Sequence, residues 1–240
     1  MKLVLIRHGD PIYSTDTLTE KGEVEASLLA KKLKGEEMSF VYSSPLGRAL
    51  RTCTVCSEAI GFPFEVLPWL EEFPTRIFNP HKHRRSIIWD LMPSYFTKHP
   101  LLYDADRWME DVIFSGTDVE EKFNRVKEGL SELLLRHGYQ LDGKLIRVNQ
   151  PNTDTVVLFC HFGVMSVIMS ILSGFSPYVY FQHFCALTSS VTTLVTEERE
   201  KGIASFRCIS YSDVSHLVSE NHSPSMAGRF RETEFSEGRE

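Results

Sequence analysis

Several ionisable side chains in this sequence directly follow runs of apolar residues. These side chains are Arg7, His8, Arg48, Glu71, Glu72 and His161. Arginine binds phosphate oxygens through paired hydrogen bonds and stays charged at physiological pH. Nearby positive charge keeps a histidine neutral, and a neutral imidazole is a nucleophile able to accept a phosphoryl group. A carboxylic acid can protonate the departing alkoxide. These residue types therefore predict a site that acts on a phosphate ester.

The surrounding pattern predicts the elements that position these side chains. Continuous apolar or β-branched runs indicate buried strands over 2–6, 39–44, 64–70 and 155–160. Apolar stripes of helical period indicate helices over about 20–34, 46–60, 118–136 and 163–172. Two β-rich runs, 189–198 and 203–212, predict a hairpin across a Gly202 turn. Strand–helix alternation followed by a hairpin predicts a three-layer αβα sandwich, with a mainly parallel sheet and an antiparallel C-terminal edge.

Three segments depart from this alternation. We expect one catalytic domain over residues 1–218, followed by a loose polar tail over 219–240. Residues 142–154 are expected to form a polar loop. Residues 74–116 contain four prolines and scattered aromatic side chains, which favours a lid that sets substrate specificity. In open α/β sheets, ligands bind where the strands end at their carboxyl side, and the ionisable residues cluster at that predicted edge.

Composition excludes several classes of partner. The chain has 240 residues, a formal net charge of −6 and 42% hydrophobic residues. We therefore expect no nucleic-acid partner, and the longest apolar run, at 163–172, is half the length needed to cross a bilayer. Five cysteines without an export signal predict reduced thiols in a cytoplasmic protein. Cys53 and Cys56 are expected to lie one turn apart on a helix rather than bind zinc.

The ordered motifs resemble the histidine phosphatase superfamily, also called the phosphoglycerate mutase-like or branch 1 group. The resemblance runs from Met1 to about Leu217. It is carried by LIRHG (5–9), LTEKG (18–22), SSPLGRALRT (43–52), LEE (70–72), CHFG (160–163) and SDVSHL (212–217). The order and spacing of these motifs, rather than RHG alone, make the resemblance specific.

The resemblance implies a role for each matching residue. His8 is the nucleophile that becomes phosphohistidine, and Arg7, Arg48 and His161 hold the phosphoryl oxygens. Glu72 is preferred over Glu71 as the proton donor. The substrate-binding positions implied are Arg7, Gly9, Ser14, Arg48, His161 and Phe162.

Two departures from the family pattern stand out. Ser14 occupies a position where the family usually has a phosphate-contacting asparagine, which leaves one contact in question. The glutamate-serine motif that usually precedes the long helix is replaced by GTD at 116–118.

The resulting expectation is an enzyme, a metal-independent phosphomonoesterase acting through phosphohistidine on a small phosphorylated metabolite. No metal or organic cofactor is expected, and the only expected partner is the phosphate ester itself. Two alternatives stay open: a phosphoglycerate mutase using the same intermediate, and a non-catalytic phospho-ligand-binding protein on this scaffold. The sequence does not identify the ester or the oligomeric state, and a homodimer is one alternative.

Other polar residues have simpler interpretations. The basic run His81 to Arg85 is expected to be a solvated turn, with a clamp for a second anionic group of the substrate as the alternative. Metal binding by His81 and His83 is less favoured. His183 and His216 are expected to be structural, and Arg51 is expected to pair with a neighbouring side chain.

Overall fold

The computed structural model describes residues 1–230 and residue 233. The strands are β1 Lys2–Arg7, β2 Pro11–Ile12, β3 Thr17–Leu18, β4 Phe40–Ser43, β5 Glu65–Val66, β6 Arg76–Asn79, β7 Arg84–Ile87, β8 Tyr139–Asp142, β9 Leu145–Val148, β10 Thr155–Cys160, β11 Val191–Glu200 and β12 Ile203–Asp213. The helices are α1 Glu20–Leu33, α2 Gly47–Ile60, α3 Pro93–Phe96, α4 Val119–Arg136, α5 Phe162–Ser173, α6 Pro177–His183 and α7 Ser215–Val218. Short 3-10 helices are Pro68–Leu70, Pro100–Tyr103, Trp108–Glu110 and Val112–Phe114.

A central sheet of eight strands has the order β5-β4-β10-β1-β11-β12-β9-β8. Strands β5, β4, β10 and β1 run parallel, whereas the pairings from β1 through β11, β12 and β9 to β8 are antiparallel. Strands β1 and β10 pair from Lys2 opposite Thr155 to Arg7 opposite Cys160, so they end at the same level. The residues that follow them therefore meet at one edge of the sheet.

Helices cover both faces of the sheet. Successive side chains of β1 therefore pack alternately into two hydrophobic clusters. Leu3 and Leu5 belong to a large cluster that also contains the apolar stripe of α4 and most of α5. Val4 and Ile6 belong to a smaller cluster with the inner faces of α1 and α2. A strand buried on both faces explains the continuous apolar run LVLI. The predicted αβα sandwich and its antiparallel C-terminal hairpin are confirmed.

The antiparallel side is larger than the sequence predicted. Residues 142–154 were expected to form a polar loop, but β8 and β9 form a hairpin there and β9 pairs with β12. Gly143, with a φ of 60°, follows Asp142 in the connecting turn. Exposed Leu145 alternates with buried Ile146, so the short strand covers the sheet edge with one face only.

The third predicted strand is shorter than expected. Only Glu65–Val66 pairs with β4, and a 3-10 turn at Pro68–Leu70 replaces the rest. Pro68 lacks the backbone N–H that a further ladder bond would need. This turn places Glu71 and Glu72 next to the carboxyl ends of the parallel strands.

Residues 74–116 pack onto the domain through their apolar side chains. The β6–β7 hairpin, α3 and three 3-10 helices lie in this segment. Ile77, Ile88, Leu102 and Trp108 are each almost completely buried in the large cluster. The segment is therefore a packed part of the domain that contains short strands and helices of its own.

Part of the predicted tail also packs onto the domain. Ser225 is buried; its N–H donates to Glu25 Oε1 at 3.2 Å and its hydroxyl donates to Asp10. Because Glu25 and Asp10 offer acceptors to a polar segment, the expectation of a loose tail is wrong for the residues around Ser225. Residues 231, 232 and 234–240 of the predicted tail lie outside the described residues. Within the described chain, no helix has the length and apolar character needed to cross a bilayer.

Candidate active site

His8 follows β1 and is held in a single tautomer. Its Nδ1 lies 2.7 Å from the carbonyl oxygen of Gly9, and a carbonyl can only accept, so Nδ1 carries the proton. The other ring nitrogen, Nε2, accepts a hydrogen bond from Arg48 Nε at 3.3 Å. The backbone of His8 is fixed by Cys160 and Ser189, which bond to its N–H and its carbonyl oxygen. Nε2 therefore presents the lone pair of the imidazole.

The surroundings of His8 keep its imidazole neutral. Burial lowers the pKa of His8 well below its usual range, and the charges of Arg7 and Arg48 lower it further. Only the hydrogen bond to the Gly9 carbonyl acts in the opposite direction. At neutral pH Nε2 therefore carries a lone pair rather than a proton, which is the form of imidazole that can act as a nucleophile.

Arg48 lies in the first turn of α2 and connects His8 to the loop between β2 and β3. Its Nη1 donates to Asp16 Oδ1 at 2.5 Å, and the N–H of Gly47 donates to Asp16 Oδ2 at 2.6 Å. Asp16 thus holds a guanidinium and a helix N-terminus, the two donor types that bind phosphate. Sequence analysis did not select Asp16, because nothing in its local pattern marks it.

Arg7 directs its guanidinium toward two backbone carbonyls. Nη1 donates to Ala186 O at 2.5 Å, and Nη2 donates to Ala227 O at 3.1 Å. A side-chain carbon on Gly228 would come within 2.4 Å of Nη1, so the C-terminal segment lies directly on this arginine. The buried Nε of Arg7 has no hydrogen-bond partner among the described residues.

His161 precedes α5 and faces His8, with 5.1 Å between the two ring centroids. Its Nε2 lies 2.7 Å from the hydroxyl of Ser44, which follows β4. Its Nδ1 is buried without a hydrogen-bond partner among residues 1–230 and 233. Burial lowers the pKa of His161 well below its usual range, and His8, Arg48 and Arg7 lower it further. Ser44 therefore orients His161, a role that sequence analysis missed although Ser44 stands in the SSP motif.

The two adjacent glutamates point in different directions. Glu72 Oε1 accepts hydrogen bonds from the N–H groups of Phe73 at 2.9 Å and Gly163 at 2.8 Å. Glu71 instead forms a surface ion pair with Arg125 on α4. Burial raises the pKa of Glu72, while the hydrogen bonds and the charges of Arg48 and Arg7 act against that rise. Glu72 is thus the carboxyl group turned toward the cations.

Comparison with known proteins identifies the family. The model of the histidine phosphatase superfamily (branch 1) matches residues 3–208. This chain belongs to that superfamily. The family resemblance and the expected enzyme class, a histidine phosphatase, are confirmed.

Individual relatives support the same assignment. The chain is 28% identical to phosphoserine phosphatase 1 of Hydrogenobacter thermophilus over 216 residues, covering 85% of this chain and 90% of the relative. It is 24% identical to a probable phosphoglycerate mutase GpmB of Yersinia enterocolitica, covering 74% of this chain and 77% of the relative. A crystal structure of a phosphoserine phosphatase mutant from Entamoeba histolytica, in complex with phosphoserine, shares the fold. Its TM-score is 0.60 at 21% identity, covering 90% of this chain and 98% of the other.

The predicted substrate-binding positions of this histidine phosphatase differ in how they are placed. Gly9 packs against Gly22, where a side-chain carbon on Gly9 would come within 2.8 Å of the Gly22 carbonyl oxygen. This close approach explains the glycine of the LIRHG motif. Phe162 begins α5 and is largely buried. Ser14 is exposed in the turn after β2 and forms no hydrogen bond within the described residues, and its predicted contact with the phosphate stays a prediction.

The remaining expectations concern residues outside the cation cluster. Arg51 forms two hydrogen bonds of 2.8 Å with Glu23, so its predicted pairing is confirmed. Cys53 and Cys56 pack in the core between α2 and the sheet, where burial raises the pKa of Cys56 to about 12. His216 is buried and bonds to Ser189, next to the loop that holds His8. Residues 1–230 and 233 contain no group of three metal-ligating side chains close enough to hold an ion.

Proposed function

We propose that this protein is a metal-independent phosphomonoesterase that acts through a phosphohistidine at His8 on a small phosphorylated metabolite. One observation carries the proposal: Nδ1 of His8 donates to Gly9, so the Nε2 lone pair lies beside Arg48 among positive charges. The relatives named phosphoserine phosphatase, and a fold neighbour named mycobacterial glucosyl-3-phosphoglycerate phosphatase, support a small metabolite as substrate.

In the first half-reaction, Nε2 of His8 attacks phosphorus and the bond from phosphorus to the ester oxygen breaks. Arg7, Arg48 and His161, the last through a proton on Nδ1, donate hydrogen bonds to the phosphoryl oxygens and stabilise the charge that builds up on them. The protonated carboxyl of Glu72 gives its proton to the departing alkoxide, which leaves as the alcohol. A raised pKa keeps this proton available at a higher pH than an exposed glutamate would.

In the second half-reaction, water attacks the phosphorus of phosphohistidine. The Glu72 carboxylate takes a proton from that water, and the bond from phosphorus to Nε2 breaks. Inorganic phosphate leaves, His8 returns to its neutral form and Glu72 returns to its acid form. The cations of the protein provide the charge compensation, so the scheme uses no metal ion.

The test is phosphate release from phenyl phosphate and phosphoserine with EDTA present. We expect turnover by the wild type, loss of more than about a thousandfold in kcat for His8→Ala, and an acid-labile, base-stable phosphoryl label on quenched wild type only. The exposed His222 provides the matched control, since His222→Ala should keep full activity. If the wild type were inactive with EDTA and regained activity on addition of a divalent metal, the metal-free scheme would be overturned.

The same assay separates the alternatives. A mutase would need a bisphosphate primer and would move the phosphoryl group between hydroxyls rather than release it. A binding protein would retain phosphate esters without label or turnover. Either result would replace the phosphatase proposal.

A further inference from the structure

A large cavity adjoins the phosphate site and is not used by the chemistry described above. Its volume is about 820 Å³, which lies in the range typical of small-molecule sites. Phe162, the residue after His161, and Trp89 both line it. A side-chain carbon on Gly163 would lie 2.6 Å from Glu72 Oε1 and 2.6 Å from a Trp89 ring carbon. The cavity therefore begins where the proton donor meets the aromatic wall.

One wall of this cavity is aromatic. The ring of Trp89 packs edge-on against Phe162 at 5.4 Å and lies 5.6 Å from Phe181. Phe184, which is 40% exposed, continues the wall toward solvent. A wall of this kind favours a flat or broad apolar group over a short polar one.

The lining of the cavity also contains several basic residues. His81, Lys82 and Arg84 come from the β6–β7 hairpin, and His183 and Arg229 complete the basic set. Asp90 is the single carboxylate among the described residues of the lining, and it already pairs with Lys82 at 3.2 Å. Arg84 is exposed and forms no ion pair with the described residues. The basic run therefore lines a cavity, in a protein whose net charge is −6.

Two features of the cavity exceed what a three-carbon phosphate ester can use. The alcohol part of such an ester would leave most of the volume of about 820 Å³ empty, and it has no broad apolar group to pack against the aromatic wall. Resting on the proposed function, we propose that the cavity binds the alcohol part of the substrate. That part contains an aromatic or similarly broad apolar group and a second anionic group that pairs with Arg84.

The test uses two coumarin esters of similar shape, 4-methylumbelliferyl phosphate and 3-carboxyumbelliferyl phosphate. The second carries a carboxylate and the first does not. Their leaving groups differ in intrinsic reactivity, so the informative quantity is how a variant changes the ratio of their kcat/KM values. A change that slows the hydrolysis of both esters by the same factor cancels in this ratio.

Arg84→Gln should lower the ratio of kcat/KM for 3-carboxyumbelliferyl phosphate to kcat/KM for 4-methylumbelliferyl phosphate by at least about threefold. Only the ester with the carboxylate loses a charge-assisted contact. Arg85→Gln is the matched control, since Arg85 is the exposed neighbour and does not line the cavity. Phe184→Ala should raise KM for both coumarin esters and leave phosphoserine unaffected. Phe175→Ala, at a 58% exposed position outside the cavity, should change neither.

Failure of this inference and failure of the proposed function give different results. An unchanged ratio in Arg84→Gln together with an unchanged KM in Phe184→Ala would overturn the inference while phosphatase activity persists. If no ester is hydrolysed, binding of the two coumarin esters to His8→Ala and to His8→Ala/Arg84→Gln gives the same comparison by fluorescence anisotropy. Equal affinities of both proteins for the carboxylate ester would then overturn it.

Discussion

The phosphate site and the neighbouring cavity are held in place by different means. In the phosphate site, backbone groups fix the reactive side chains: the Gly9 carbonyl holds His8, the Ala186 carbonyl holds Arg7, and the Gly163 N–H holds Glu72. The outer side of the cavity depends on side chains of a short hairpin, such as Lys82 paired with Asp90.

This difference separates the residues proposed to carry out the reaction from the residues proposed to select the substrate. Arg7, His8 and His161 stand at the ends of β1 and β10 in the central sheet, which cannot move without disturbing the core. The selecting groups stand on residues 74–116 and on the C-terminal segment, whose surface positions tolerate substitution. Changes in the first region should therefore alter kcat for every ester, and changes in the second should alter the preference among esters.

After the loss expected for His8→Ala, the largest expected effect is that of replacing Glu72. Glu72→Gln should lower kcat for alkyl phosphates by about a hundredfold to a thousandfold, because the departing alkoxide loses its acid. Glu71→Gln is the matched control and should keep nearly full activity, since Glu71 pairs with Arg125 on the surface. Steady-state rates on phosphoserine measure both. Equal losses in the two variants would show that the loop, rather than one carboxyl, is required.

The pH profile extends this prediction. Activity should fall at high pH as Glu72 loses its proton, and burial moves this limb upward because it raises the pKa of Glu72. Activity should fall at low pH as His8 gains a proton, and burial with Arg7 and Arg48 moves that limb downward. The measurement is kcat/KM against pH for wild type and Glu72→Gln, with the same ester so that its own ionisation is shared. Persistence of the alkaline limb in Glu72→Gln would assign it to another group.

A smaller loss is expected when the support of His161 is removed. Ser44→Ala should lower kcat about tenfold with little change in KM, because the hydroxyl 2.7 Å from Nε2 no longer orients the ring. Ser44→Thr keeps the hydroxyl and should recover part of the rate. Ser43→Ala is the control, since Ser43 is equally buried but its hydroxyl bonds to the Ser44 carbonyl. A matching loss in Ser43→Ala would indicate a general packing effect.

The smallest expected effect is a change in KM that has opposite signs for two esters, because the C-terminal segment contacts both the phosphate site and the cavity. Deleting residues 223–240 removes the Ala227 carbonyl from Arg7 and removes Gly228 and Arg229 from the cavity. KM for phenyl phosphate should then fall about twofold to fivefold, because the phosphate no longer has to displace the Ala227 carbonyl from Arg7. KM for 3-carboxyumbelliferyl phosphate should rise. A parallel shift for both esters would show that the segment acts on the whole domain, and thermal unfolding provides the stability control.

The sequence predicted the phosphate site better than the cavity because the two regions differ in pattern. Strands buried on both faces read as plain apolar runs, so β1 and β10 and the residues after them were found with nearly correct bounds. The alternation of exposed and buried residues in β6 is not apparent from the sequence, because Asn79, a polar residue, occupies a buried position. Asn79 is stabilised there by hydrogen bonds to the N–H groups of His81 and Lys82.

Other errors came from contacts distant in sequence. Hairpin β8–β9 did carry a usable signal, the Asp142–Gly143 turn between alternating residues, which the polar composition obscured. No local pattern marks Asp16 as the partner of Arg48, or Ala227 as the partner of Arg7. The second pair joins residues 220 positions apart, so only the folded chain brings them together.

The position of β1 in the sheet also has a consequence for how the protein forms. This strand is synthesised well before its neighbours, which are β10, beginning at Thr155, and β11, beginning at Val191. Pairing across such separations is slow, and until then the segment LVLI is an unpaired apolar strand. His8 therefore acquires its surroundings only after β10 and β11 have been synthesised. A chain interrupted before residue 155 has His8 but cannot form the β1–β10 pairing that places it opposite His161.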